Sequence, residues 1–268
     1  MAENQIQNPQ GGALVHYDYG DLSGQGYEGT SKADFQIPFL NIVQAQSPIV
    51  TQGKPEYNAA AKAGMLFNSA TMQVYDGQAG VVLVPCATQR VFCEFAARDK
   101  GGGFQGVHAP EDPIVTKAVA ASKSFGKYNT DSGNNLVETF YMFGLLVNGG
   151  EILGPVILAF SSTKIKVYKS LMTLLRACTI NKKTPPLFAN LVKVGTASET
   201  NPKGTFFNYT LVPANGTVQQ SLVDPSTEVG KAILAAGKEF QIQVGSGKIR
   251  ADHAQAGGDQ APTEEAPF

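Results

Sequence analysis

Residues 134–160 read NNLVETFYMFGLLVNGGEILGPVILAF, and the fold class is inferred outward from this stretch. Its apolar first half ends at Asn148-Gly149, a dipeptide typical of the tight turn of a β-hairpin. The chain continues into residues 154–160, a second short apolar run that suits a returning strand. The stretch therefore predicts two antiparallel strands joined by a tight turn.

Further strands are predicted on both sides of this hairpin. Upstream, residues 80–86 form a short β-branched run of the kind found in buried strands, and residues 90–95 alternate well enough to be the next strand. Residues 99–106, which are rich in glycine, predict a loop. Downstream, residues 187–194 and 205–212 flank an Asn-Pro-Lys-Gly turn, which predicts a second hairpin. Several short strands joined by turns favour a sandwich or a barrel.

A few segments interrupt this β-rich pattern with helical periodicity. Residues 164–178 place apolar side chains at helical spacing, and the preceding Ser-Ser-Thr offers an N-cap. A last helix fits residues 224–240, capped by Asp224 or Ser226, and the short basic segment 114–128 could also be helical. The sequence therefore predicts a mainly β fold with one or two helices, in the α+β class.

The composition divides the chain into three parts. Residues 1–35 predict a flexible acidic N-terminal arm, residues 36–250 one β-rich domain, and residues 251–268 a disordered acidic tail. The formal net charge is −1, from 21 basic and 22 acidic residues. Residues 36–250 nevertheless carry 20 basic and 13 acidic side chains, so a basic body lies between two acidic arms.

The basic side chains indicate where this body could bind an anionic partner. Residues 152–198 contain no Asp or Glu but hold seven Lys and Arg side chains. Cations without neighbouring acids attract the phosphates of nucleic acids regardless of base sequence, although a solvated helix face is the alternative interpretation. The candidate phosphate contacts are Lys164, Lys166, Lys169, Arg176, Lys182 and Lys183, with Arg90, Arg98 and Lys100 as an opposite wall.

Aromatic side chains are interleaved with these cations. Phe104 lies in the glycine-rich loop after Lys100, and Tyr168 lies between Lys166 and Lys169. Single-strand binders place exposed rings beside a basic groove, because every base has a face on which a ring can stack. We expect Phe104 and Tyr168 to stack on bases, and about two-thirds of the Phe side chains to lie in the core instead.

The C-terminal end carries two acids followed by an apolar tip, at Glu264, Glu265, Pro267 and Phe268. This arrangement resembles the tail tip of single-stranded DNA-binding proteins. The resemblance implies that the terminal ring fills an apolar pocket on a replication protein, such as a DNA polymerase or a helicase-primase, while the acids steer the encounter. A tail that ends in Phe by chance is the alternative interpretation.

The body resembles a family of phage replication proteins with the same kind of DNA binding. The similarity lies in IPFLNIVQAQSP at residues 37–48, GMLFN at 64–68, VP at 84–85 and RDKGGGFQGVH at 98–108. It implies an oligonucleotide-binding barrel, the OB-fold, that works in the cytoplasm of the infected host cell. Because no compact five-stranded core is obvious, the barrel would have to be elaborated by long insertions.

Signals for a cofactor or a metal are weak. Residues 101–106 match the pattern G-x-G-x-x-G, but Pro110 and Pro113 block the helix start that a dinucleotide site needs. The spacing of Cys86, Cys93 and His108 fits no known zinc pattern. We expect no cofactor and no metal, and we expect the cysteines to be free thiols that lie at least partly buried.

We therefore expect a non-enzymatic, sequence-independent single-stranded DNA-binding protein of phage replication or recombination. Its oligomeric state stays open, a homo-oligomer included. One alternative is a phage structural or assembly protein, and another is a nucleic-acid enzyme with Asp112, Asp131 and Glu138 as its nearest carboxylates. The polar start and the lack of any apolar run near ~20 residues argue against secretion and a membrane span.

Overall fold

The structure is a computed structural model that describes residues 21, 25–29, 36–124, 126–202 and 204–253. The described residues between Gln36 and His253 belong to one compact unit. The strands are β1 Leu40–Ile42, β2 Leu66–Asn68, β3 Val74–Tyr75, β4 Val81–Phe95, β5 Phe104–His108, β6 Tyr128–Asn129, β7 Asn135–Asn148, β8 Glu151–Ser161, β9 Val192–Asn201 and β10 Gly204–Pro213. The helices are α1 Pro113–Ala121, α2 Lys164–Ala177 and α3 Glu228–Gly245.

The strands form two antiparallel sheets. A small sheet has the order β1-β2-β3, and the main sheet runs β10-β9-β4-β7-β6 with β5 paired to β4 and β8 paired to β7. The predicted class, mainly β within α+β, is confirmed. Within the described ranges no strand pairing joins the β10 end of the main sheet to its β6 or β8 end. The sheet is therefore open, and the pairing does not support the expected OB-fold barrel.

The central hairpin β7–β8 is confirmed, and its apolar composition follows from burial on both faces of the main sheet. Phe140 and Met142 of β7 belong to the core under α2, whereas Tyr141 and Phe143 belong to the core under α3. Neighbouring side chains on a strand point to opposite faces, so a strand covered on both sides needs apolar residues at every position. This explains the unbroken run of buried residues from Tyr141 to Val147.

The turn of this hairpin lies one residue later than predicted. Asn148 pairs with Glu151, and the two central residues are Gly149 and Gly150, whose φ angles of 56° and 96° suit a two-residue hairpin turn. The strand β8 therefore begins at Glu151, three residues before the apolar run from which it was predicted.

Several other boundaries differ from the prediction; the strand expected at 187–194, for example, is β9, which begins only at Val192 and runs to Asn201. The two strands expected at 80–86 and 90–95 are one strand, β4, with a bulge between Pro85 and Ala87 where the proline cannot donate a ladder bond. The glycine-rich segment is a loop only to Gly103, and β5 starts at Phe104. Helix α3 is capped by Thr227, which accepts a hydrogen bond from Gly230 N, and not by Asp224 or Ser226.

Candidate nucleic-acid interface

Helix α2 turns one face to the core and the opposite face to solvent. Tyr168, Leu171 and Leu175 are buried under it against the main sheet. Because a helix repeats every ~3.6 residues, Lys166 and Lys169 point away from that buried stripe, and both are exposed. The helix and its predicted start at Lys164 are confirmed, and it ends at Ala177, one residue before the predicted end.

The exposed cations on and after α2 have no acidic partners among the described residues. Within the part of the chain that the structure describes, no ion pair involves any of five exposed side chains. Unpaired cations keep their full charge available to phosphate oxygens, which is the arrangement that counterion release requires. The five are Lys166, Lys169, Arg176, Lys182 and Lys183.

Strand β4 brings a sixth predicted cation to the same region. Arg90 pairs with Phe140 across β4 and β7, and Lys169 Nζ lies 5.6 Å from the centroid of the Phe140 ring. Arg90 and Phe140 are therefore cross-strand neighbours on the α2 side of the sheet, although the Arg90 guanidinium itself lies 5.5 Å from the ring centroid of Phe92. Arg90 is engaged, however, because its Nη2 and Nε lie 2.6 and 2.7 Å from Glu138 Oε1.

Lys164 differs from the other cations of α2. Its Nζ lies 5.4 Å from the ring centroid of Tyr209, a side chain of the core, and the residue is partly buried. Loss of hydration lowers the pKa of this ammonium to about 8, because burial disfavours the charged form. Lys164 is therefore less available to a phosphate than the five exposed cations.

The two predicted stacking rings are packed inside the protein. Tyr168 is 7% exposed, and its ring stacks on Phe140 with a centroid distance of 4.8 Å. Phe104 is partly buried, with its ring 5.9 Å from Phe95 and 5.1 Å from His253. The expectation that these rings are free to stack on bases is corrected, since hydrophobic burial already occupies their faces.

The second wall of the predicted groove is only partly described. Arg98 and Lys100 lie in a short 3-10 helix beyond the end of β4, and the side chain of Arg98 lies outside the described residues. Lys100 Nζ donates a hydrogen bond of 2.6 Å to the carbonyl of Ser132, on the segment before β7. Lys100 is thus held by the segment before β7, and none of the hydrogen bonds or ion pairs given for the described residues joins it to α2.

The C-terminal segment is packed further than predicted. Glu264, Glu265, Pro267 and Phe268 lie outside the described residues, so the predicted partner-binding tip has no structural description. His253, expected in the tail, instead lies against the α3 side of the sheet. Its Nδ1 is 2.7 Å from Tyr141 Oη, and its ring contacts Phe39, Phe95 and Phe104. The packed body therefore extends through His253, three residues past the predicted boundary.

The polar groups considered for catalysis have separate structural partners. Glu138 binds Arg90, Asp131 pairs with Lys117, and Asp112 Oδ2 lies 3.6 Å from His108 Nδ1. Because the three carboxylates have these different partners, they do not form one site. Among the described residues, no group of three or more His, Cys, Asp and Glu side chains could hold a metal ion.

The cysteines are free, with Cys86 and Cys93 buried and Cys178 partly buried, as predicted. Burial raises the pKa of the Cys86 thiol to about 12, because the thiolate would lose its hydration. A thiol with so high a pKa is a poor nucleophile at neutral pH. Cys86 is therefore a packing residue.

Sequence reasoning missed two exposed apolar side chains that lie among the cations of residues 164–183. Leu174 is 46% exposed on α2, and Ile180 is 40% exposed in the turn that follows the helix. The signal for Leu174 was available, since it lies off the apolar stripe that predicts the helix. Ile180 follows the helix and carries no such periodic signal.

Comparisons with known proteins give one match. The model of a protein family described as Pam3 phage gp34-like protein matches residues 6–250. No curated protein and no solved structure matches the chain. In the described ranges, none of the helices is both long and apolar enough to cross a membrane.

Proposed function

The chain belongs to the Pam3 phage gp34-like protein family. We propose, from the charge pattern of its described residues, that it is a non-enzymatic, sequence-independent single-stranded DNA-binding protein of phage DNA replication or recombination. In this proposal the protein coats exposed strands in the cytoplasm of the infected host cell. The observation that carries the proposal is the set of five exposed cations on and after α2 that have no acidic partner among the described residues.

The arrangement of these cations supports contact with the phosphate backbone. Lys166, Lys169 and Arg176 follow one face of a helix of 14 residues, and Lys182 and Lys183 extend the same charge beyond its end. A cationic row of this kind can follow consecutive phosphates without reading the bases. The resemblance of the chain to phage single-strand binders supports a single strand as the ligand.

The proposal is tested by measuring the anisotropy of labelled oligo-dT and of a matched duplex at rising salt. For single strands, each phosphate contact contributes about −0.7 to the slope of log K against log salt, so five contacts give about −3.5. Preference for the single strand with such a slope supports the proposal. Affinity that is insensitive to salt, or equal affinity for duplex and single strand, would contradict it.

The tail is proposed to recruit a replication protein such as a DNA polymerase or a helicase-primase, through Glu264, Glu265, Pro267 and Phe268. Since the body is packed through His253, the truncation that tests this role should remove residues 254–268 and leave that histidine. We expect the truncated protein to bind oligo-dT at least as tightly as the full chain, because acids that compete with phosphates are gone. Weaker oligo-dT binding would show that the tail role is misassigned.

The alternative of a structural or assembly protein has one feature in its favour. Strand β10, ten residues long, is an end strand of the main sheet, and end strands can pair with another copy. Gln44 counters this, because its amide donates to Phe207 O at 2.8 Å and accepts from Phe207 N at 2.9 Å. Because the Gln44 side chain already bonds both backbone groups of Phe207, a strand of a second copy is blocked from pairing at that position. We therefore favour DNA binding.

A further inference from the structure

The turn after α2 has a defined and strained backbone. Ile180 N donates to Lys183 O at 2.9 Å, and Lys183 N donates to Ile180 O at 3.0 Å. The two residues between them, Asn181 and Lys182, have φ angles of 51° and 63°. Both lie in the left-handed region, which costs a lysine about 1 kcal/mol or more, so the turn holds one geometry at the expense of local strain.

This turn, residues 180–183, presents an apolar side chain between cations. Ile180 is 40% exposed, and the neighbouring Lys182 and Lys183 are both exposed. Leu174 and Arg176 add a second apolar and cationic pair on the last turns of α2. No acid occurs between residues 152 and 198.

A partner for this surface must combine negative charge with flat apolar groups. Like charges repel, so the cations disfavour contact between two copies of the turn. A membrane-spanning or purely apolar partner would leave the cations without counter-charges. An unpaired nucleic-acid strand meets both needs, since its phosphates are anionic and the faces of its unstacked bases are apolar.

We propose that the 180–183 turn is the element that contacts the bases, with Ile180 packed on the face of an unstacked base while Lys182 and Lys183 bind the flanking phosphates. This inference rests on the proposed function and gives it a base-contacting residue in place of the buried Tyr168 and the partly buried Phe104. It also gives a physical reason for single-strand preference. In a duplex the base faces are covered by stacking, and opening one step costs a few kcal/mol.

Tryptophan fluorescence tests the inference directly, because the chain contains no Trp. Ile180→Trp places a unique indole in the turn, and stacking on a base quenches indole emission. Ile242→Trp is the matched control, since Ile242 is 55% exposed on α3, whose buried residues belong to the core on the other face of the sheet. We expect saturating oligo-dT to quench the first variant by about half or more and to leave the second nearly unchanged.

Anisotropy of labelled oligo-dT is measured on both variants in parallel. If Ile180→Trp binds but its emission changes no more than that of Ile242→Trp, the turn does not contact bases and the inference fails while the proposed function stands. If neither these variants nor the unchanged protein binds oligo-dT, the proposed function itself fails.

A second pair of variants separates the apolar contact from the charge. Ile180→Ala keeps all cations, and we expect about fivefold weaker binding of oligo-dT with an unchanged salt slope. Lys182→Gly keeps the left-handed turn, which glycine adopts freely, and should instead reduce the slope by about 0.7. Equal salt slopes for the two variants, or no loss of affinity for Ile180→Ala, would overturn the assignment.

Discussion

The two faces of the main sheet carry their charges in different ways. On the α2 face, Lys166 and Lys169 are exposed and have no acidic partner in the described ranges. On the α3 face, Lys231 is paired with Glu228 at 2.6 Å, and the last described residue, His253, is held among aromatic rings. The α2 face thus carries a row of exposed cations without acidic partners in the described ranges, whereas on α3 Lys231 is neutralised by Glu228 and Lys238 stays exposed.

This difference shows that a count of basic residues is a poor guide to a binding surface. An exposed ion pair contributes little to stability, but it reduces the charge that a ligand meets. The acids Glu228 and Glu239 of α3, and the absence of any acid from the sequence of α2, therefore separate the two faces as much as the number of cations does. This difference can be tested on the α3 face, on the α2 face and at Arg90, a cation of the α2 side that is already paired with Glu138.

The largest expected effect concerns the α3 face and the pH dependence of stability. Burial lowers the pKa of His253 from its ordinary value of 6.5 to about 4 in the folded protein, while Asp252 raises it and Lys164 lowers it further. The unfolded chain therefore binds the proton first, and stability falls as the pH drops from about 6.5 to about 4. At about 1.4 kcal/mol per unit of pKa, this histidine accounts for about 3 kcal/mol of that loss.

Urea unfolding of the unchanged protein and of His253→Gln at several pH values between 7.5 and 4 measures this effect. The glutamine can still hydrogen-bond to Tyr141 Oη but does not titrate. We expect the difference in unfolding free energy between the two proteins to shrink or reverse as the pH falls. A difference that is constant with pH would show that the histidine is solvated and not packed.

The next effect concerns the α2 face. Replacement of Lys166, Lys169 and Arg176 by Gln removes three exposed cations, and the salt slope for oligo-dT should fall by about 2. At about 0.1 M salt this corresponds to about 100-fold weaker binding. Replacement of Lys231 and Lys238 on α3 by Gln is the control, and a similar loss there would remove the distinction between the faces.

The main secondary-structure elements can be predicted from the sequence because each depends on a local pattern. The hairpin β7–β8 and the helix α2 follow from apolar runs, a turn dipeptide and a helical period, each within about 30 residues. The burial of Tyr168 could also have been predicted, because the apolar stripe that predicts α2 includes this residue. Its position between two lysines made the ring a stacking candidate, but the helical period decides where it points.

The pairing of charges could not be predicted, because it depends on strand register. Arg90 and Glu138 are 48 positions apart, and they meet only because β4 and β7 pair with Arg90 opposite Phe140. A shift of one residue in that register would turn the side chains to opposite faces of the sheet. The docking of His253 could not be predicted either, because nothing near it in sequence indicates the cluster of aromatic rings that it contacts.

The smallest expected effect concerns the Arg90–Glu138 pair. It tests whether an acidic partner keeps a cation from binding DNA. Glu138→Gln removes the charge that engages Arg90, whose side chain is 50% exposed and whose cross-strand neighbour Phe140 contacts Lys169. If pairing is what withholds Arg90 from DNA, oligo-dT should bind about fivefold more tightly, with a slope steeper by about 0.7. Asp131→Asn frees Lys117 in the same way, but α1 carries no proposed contact, so affinity there should stay unchanged. Equal gains in affinity for both variants would show that DNA binding depends on net charge alone and not on the α2 face.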